Sequence, residues 1–460
     1  MRSFLKYFAL GLVGLVALLL ATVWAVNAFD EDLQPEVVAL VERAEAEQIA
    51  QQGNAYFPLR GLHAPRGQDI EAVGRAFDKA DRRAMEEFKK DGDLTRIWPA
   101  APPDFLKFEG ESYRLCTVVD DSLYNHGVCK SQAETDRMFE DNDELLRRYY
   151  RLLGHRIYEE PATTFAHIDA DLIGLMRLAN ADMQRMLVRG QVDEAARLMS
   201  RHLAFWRNAL DGKYHLISEP IIRVNYNFSL ITLSELLWRY PALLRESELR
   251  AALAKPFKPT DAQLQPSMDR EFVKVYFVKQ GANLLFDRGP GIDRSPVLEW
   301  MANRLYQRNS TLNAFHACLG KFYAVRALSG AEYDRALARY QDYELEDSLG
   351  SFVNLTGKLA LRSICPKGFW LDDLDNYSRF EAKRRLVLLQ ISLLGSKLQK
   401  SRYARLLRSA DPSLHDPLTG RPAQWDAARN IIYFEREKGC YGEALWVPLG
   451  PVKAFVRCAS

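Results

Sequence analysis

Two short stretches bring together the residue types that chemistry needs. In "FAHIDADLIGLM", residues 165–176, His167, Asp169 and Asp171 fall within five positions. On a helix His167 and Asp171 lie one turn apart on a shared face, and Asp169 points elsewhere. An imidazole and a carboxylate so placed supply two of the three or four ligands of a zinc site, with Glu159, Glu160 or His202 as completions. The second stretch, "HLISEP", sets His215 four residues before Glu219 and just ahead of Arg223, Asn225 and Asn227. A His/Glu pair can polarise a base, and asparagines can orient a polar ligand. His215, Glu219, His167 and Asp171 are therefore the candidate catalytic residues, and His167 and Asp171 the candidate metal ligands.

Each stretch also has a plain structural reading. Asp169 or Asp171 suits a helix start after Thr163 and Thr164, where early acids face free amide groups. The apolar neighbours of His215 suit a buried, hydrogen-bonded seam. No H-E-x-x-H, no G-x-S-x-G, no phosphate-binding glycine loop and no dinucleotide fingerprint occurs in the chain. No cofactor is expected, and whether the protein is an enzyme stays open.

The elements that must position these residues are mostly helical. Helices are expected over 35–51 and from about 69 to 90, separated by an ordered loop, "QGNAYFPLRGLHAPRG". Between residues 132 and 249 apolar positions recur at helical spacing. Leu172, Leu175, Leu178 and Met186 are expected to face Ala195, Leu198, Leu203 and Trp206 across a break at Arg189 and Gly190. That is a helical hairpin, and its turn "RGQVDEA" resembles the turn between tetratricopeptide-type helices. Trp206 and Trp238 are the candidate partner-contacting residues, being bulky and able to donate a hydrogen bond. Near the end, "NIIYF" and "ALWVPL" predict a small antiparallel β-hairpin.

The chain opens with Arg2 and Lys6 followed by an uncharged run from Tyr7 to Phe29. Such a run predicts an uncleaved single-pass anchor, with the N-terminus cytoplasmic and the bulk periplasmic. A cleaved signal peptide ending near Val26 and Ala28 is the alternative, against which the run exceeds the roughly 7 to 15 apolar residues of a signal segment. Setting aside Arg2 and Lys6, the other 60 basic residues balance the 60 acidic ones, so no general attraction for nucleic acid is expected. All six cysteines follow the run: Cys116 with Cys129 and Cys440 with Cys458 are the expected disulfides, leaving Cys318 and Cys365 as a third pair or as buried thiols. No C-x-x-C occurs.

Together these features predict a mainly α fold with an N-terminal transmembrane helix, a helical-hairpin body that is tetratricopeptide-like in part, and a small C-terminal antiparallel β-hairpin. The expected units are 1–29 as cytoplasmic stub and anchor, 30–131 as a helical and loop segment, 132–255 as the helical-hairpin unit, 256–410 as a second helical unit and 411–460 as the β-hairpin tail.

The stretches "NAYFPLRGLHAPRGQD", "VRGQVDEAARLMSRHLAFWRNAL" and "HDPLTGRPAQW" resemble a group of uncharacterised single-pass bacterial envelope proteins. The resemblance implies an inner-membrane anchor and a periplasmic body, and it assigns no residue a role. The function expected from all of this is an anchored extracytoplasmic adaptor or scaffold for another envelope protein. The alternative is a periplasmic hydrolase or transferase acting on an envelope polymer or lipid, which needs His167 or His215 to meet carboxylates in a pocket.

Overall fold

The structure is a computed structural model; it describes residues 2–91, 104–111, 131–162, 164, 171–215, 218–257, 261–281, 295–326, 335, 336, 339, 353–365, 367–396, 398–417, 419–435 and 445–451. The first helix, α1, is Arg2–Asn27. Among the described residues no helix is long and apolar enough to cross a membrane. The transmembrane helix expected over residues 7–29 is therefore corrected, and with it the signal anchor and the single-pass inner-membrane localisation.

The last turn of the uncharged run belongs to the folded body. The Asn27 amide oxygen accepts from the Asn354 N–H at 2.7 Å, and Gln307 Nε2 donates to the carbonyls of Val26 and Phe29. Asp30 then accepts from the backbone amides of Asn309 and Ser310 at 2.7 and 3.0 Å. Counting uncharged residues through Phe29 overlooked these bonds. The described apolar side chains of α1, Leu10, Val13, Leu15 and Leu18 among them, are exposed.

Helices α2 (Pro35–Ala46), α3 (Tyr56–Arg60) and α4 (Ile70–Asp91) follow. The proline-interrupted loop expected around residue 57 is in part the single turn α3. It packs on α4, where Arg75 stacks over the Phe57 ring at 4.0 Å and Arg60 pairs with Asp81. The next helices are α5 (Gln132–Asp141), α6 (Asp143–Leu152), α7 (Asp171–Val188), α8 (Val192–Leu210), α9 (Glu219–Arg239) and α10 (Ser247–Ala254). Helix α5 starts with a capping box between Ser131 and Glu134, which satisfies two otherwise orphaned amides. Between α7 and α8, Gly190 takes φ +76°, a left-handed conformation that ends a helix cheaply only for glycine.

The remaining helices are α11 (Asp261–Phe277), α12 (Pro296–Arg304), α13 (Arg308–Arg326), α14 (Leu355–Ile364), α15 (Lys367–Gly395) and α16 (Tyr403–Arg408). Asp30 thus sits at the N-terminus of α13, where a carboxylate satisfies free amides. A disulfide joins Cys318 on α13 to Cys365 just past α14, with Cα atoms 6.4 Å apart. Cys116, Cys129, Cys440 and Cys458 lie outside the described residues.

The tail differs from the expected two-stranded hairpin. It forms three antiparallel strands in the order β1 (Gln424–Asp426), β2 (Ile431–Tyr433) and β3 (Trp446–Pro448), with Trp425 opposite Ile432 and Ile432 opposite Val447. Strand β1 has a single apolar residue in "QWD", too little for an alternating pattern.

Two hydrophobic clusters hold most of the buried side chains. The larger unites α5 to α10 with α15, α16 and the sheet. Helix α9 is buried on nearly all sides because α7, α8, α15 and β3 enclose it, and its buried residues include Glu219, Arg223, Asn225 and Ser229. The second cluster joins α2, α11, α13 and α14 around Phe272 and Phe315. A strap of extended chain, residues 157–162, passes between them. Tyr158 packs in the larger cluster and Ala162 in the second. The strap forms single parallel bridges with Asn54 and Lys213.

Candidate functional site

The strap delivers Glu160 to the junction of the two clusters, beside the candidates His215 and Glu219. Gly212 makes this possible, since a Cβ there would lie 2.0 Å from the Tyr158 carbonyl. Lys213 then donates from its backbone to Tyr158 O, and Glu160 N donates to Lys213 O at 2.6 Å. The Glu160 carboxylate accepts from the Tyr158 hydroxyl, from Ser218 Oγ at 2.7 Å and from the His215 backbone amide at 2.6 Å. From α11, Arg270 reaches the Glu160 carbonyl and pairs with Glu47.

His215 Nε2 donates to Pro161 O at 3.0 Å, so that nitrogen holds the ring proton. Nδ1 lies 3.7 Å from Glu271 Oε1. Burial pulls the imidazole below its usual range, helped by the Lys274 charge and opposed by Glu271 and Glu160. Burial works against the Glu271 carboxylate as well, yet the Lys274 ammonium, 3.0 Å away, holds it at about 2. Glu219 opens α9 with its carboxylate 3.8 Å from Arg223. His215, Ser218 and Glu219 are all 0 % exposed. Of the carboxylates that meet His215, Glu160 does so in a buried seam, while the Glu271 side chain is 24 % exposed.

A second buried histidine is held at both ring nitrogens. His202 on α8 lies between Tyr149 of α6, Trp206 one turn on, and Ser229 of α9. Ser229 Oγ already donates to Asn225 O at 2.7 Å, so it accepts from Nδ1–H at 3.0 Å. Nε2 is then the acceptor for the Tyr149 hydroxyl, and Trp206 Nε1 donates to that hydroxyl at 3.0 Å. Every polar atom of the ring has a partner only in the neutral form. Burial holds this imidazole at about 3. Trp206, expected to contact a partner, is 1 % exposed inside this network. Trp238 is half-buried, donating to Glu235 at 3.1 Å with Arg239 over its ring.

His167 and Asp169 lie outside the described residues. Asp171 begins α7 and accepts from the Phe108 amide at 3.2 Å. Among the described residues no group of three or more His, Cys, Asp or Glu side chains could hold a metal ion.

An open concavity lies elsewhere, a cleft of about 570 Å³ formed by α6, α7, α8 and α10. Tyr150, Met186 and Leu198 supply its apolar lining; Arg197 and Arg201 enter from α8, together with Glu194, and Glu248 enters from α10. The Tyr150 hydroxyl is fixed by donation to Asp182 at 2.8 Å, and burial, with the Asp182 charge, pushes this phenol well above its usual range. Arg197 and Arg201 are four residues apart and so project one turn apart from the same face. Neither is engaged in an ion pair among the described residues. Sequence reasoning missed this site because exposed arginines on an amphipathic helix look like ordinary solvated surface. The signal was Glu194, Arg197, Leu198 and Arg201 recurring along one stripe of α8.

No family model, no curated protein and no solved structure matches this chain. The resemblance to single-pass envelope proteins is thereby corrected: the membrane-spanning helix that it implied is not present among the described residues. The anchored adaptor function, and the membrane and envelope protein expected as partners, rested on that anchor and are corrected with it.

Proposed function

We propose that the protein binds a small ligand in the cleft between α6, α7, α8 and α10. Arg197 and Arg201 grip an anionic group, and Tyr150, Met186 and Leu198 meet its apolar part. The observation that carries this reading is the pair of guanidinium groups, one turn apart, that line the cleft without an ion-pair partner among the described residues. Guanidinium groups recognise carboxylate or phosphate oxygens through paired N–H donors, which fixes orientation as well as charge. The volume lies within the roughly 300–1,000 Å³ usual for small-ligand pockets.

Thermal unfolding with ethylphosphonate and with butyrate tests the reading. At a ligand concentration about ten times a millimolar Kd, binding stabilises by roughly 1.4 kcal/mol, which moves the midpoint by about 2 °C in a chain of this size. The Arg197→Ala, Arg201→Ala double variant should keep the ligand-free midpoint and lose the shift. An equal shift in wild type and variant would place the anion elsewhere and sink the reading.

A further inference from the structure

The cleft is lined by charges of both signs, and that selects among anionic ligands. Arg197 and Arg201 reach it from α8, while Glu248 reaches it from the first turn of α10. Glu194 is engaged by Gln191 Nε2 at 3.2 Å. Glu248 makes no ion pair with either arginine among the described residues. A ligand bearing only a negative charge would satisfy the arginines and be repelled by Glu248. A ligand bearing only a positive charge would face the converse.

We infer that the cleft takes a small dipolar ligand, one with a carboxylate or phosphonate-like group for Arg197 and Arg201 and an ammonium group for Glu248. This rests on the binding reading above and narrows its ligand class. An ammonium provides three N–H donors on a compact charge, which suits a single carboxylate acceptor. Two further features fit the proposal: two cations and two carboxylates line the same concavity, and the residues that line it come from different helices. A cleft lined by charges of both signs that are not paired with one another is complementary to a molecule that carries both signs.

Two matched pairs of probes test it by isothermal titration: 2-aminoethylphosphonate against ethylphosphonate, and γ-aminobutyrate against butyrate. Within each pair the probes share the anion and the carbon chain and differ by the ammonium. The dipolar member of at least one pair should bind about fivefold more tightly, the value of a modest ion pair. Glu248→Gln should erase that preference while leaving the anionic probe's affinity unchanged or improved. Equal affinity within both pairs would overturn the dipolar ligand and leave the anion reading standing. Binding of none of the four would overturn both.

Discussion

Lys383 is a buried amine whose charge state should be visible in the stability of the whole fold. It lies on α15, 4 % exposed, with Nζ donating to the Trp446 carbonyl at 2.6 Å. The Trp446 ring is 5.6 Å away, and Glu235 from α9 is the charged group that faces it. Burial pulls the amine down to about 7, with Glu235 acting in the opposite direction. In the unfolded chain the group titrates near 10.4.

The unfolded chain therefore holds a proton that the folded protein has lost between pH 7 and about 10.4. Stability gains from this residue as pH rises through that window. Below pH 7 both states are protonated and the folded one carries the full cost of a buried ammonium. At 1.36 kcal/mol per unit, the rise from pH 7 to 9.5 is at most about 3 kcal/mol. Lys383→Met keeps most of the stem and removes the titration, while stranding the Trp446 carbonyl at a cost of about 1–3 kcal/mol. Urea unfolding followed by tryptophan fluorescence should show wild type gaining on the variant steadily from pH 7 to 9.5. Parallel stability curves across that range would refute the reasoning, because they would mean that Lys383 binds protons equally in both states.

Three further outcomes are expected. In nitrogen NMR His202 should show a neutral ring with its proton on Nδ1 down to about pH 4, and an ordinary midpoint near 6.5 would contradict the network. Replacing Cys318 and Cys365 by serine should lower stability by roughly 4 kcal/mol, the chain-entropy value for a loop of this length, as read by denaturant midpoint. Gly212→Ala should cost several-fold more than an ordinary surface substitution, which averages within about 0.5 kcal/mol, because its Cβ collides with the strap; a wild-type midpoint would show the strap to be dispensable.

The helices were legible in sequence where one face is buried and the other wet. Helix α4 was expected from about residue 69 and runs Ile70–Asp91, and the hairpin break expected at Gly190 falls between Val188 and Val192. The short turn α3 was not legible, since one turn has no period to detect. Nor was the strap, because its order comes from partners more than a hundred residues away, such as Asn54 with Glu159. His215 was seen to lie in apolar surroundings, but Glu160, which ties it to Tyr158 and Ser218, entered only as a metal ligand. The anchor was misjudged by counting uncharged residues without the bonds that Gln307 and Asn354 make to the end of α1. The cleft was missed because a helix's exposed face gains meaning only from the helices beside it.

The most direct measurement is a calorimetric titration of 2-aminoethylphosphonate into the wild-type protein and into the Arg197→Ala, Arg201→Ala variant. Saturable one-to-one binding by wild type, weakened at least tenfold in the variant, is the predicted result. The same isotherm from both proteins, or no heat from either at ligand concentrations of about 10 mM, would contradict a ligand site in this cleft.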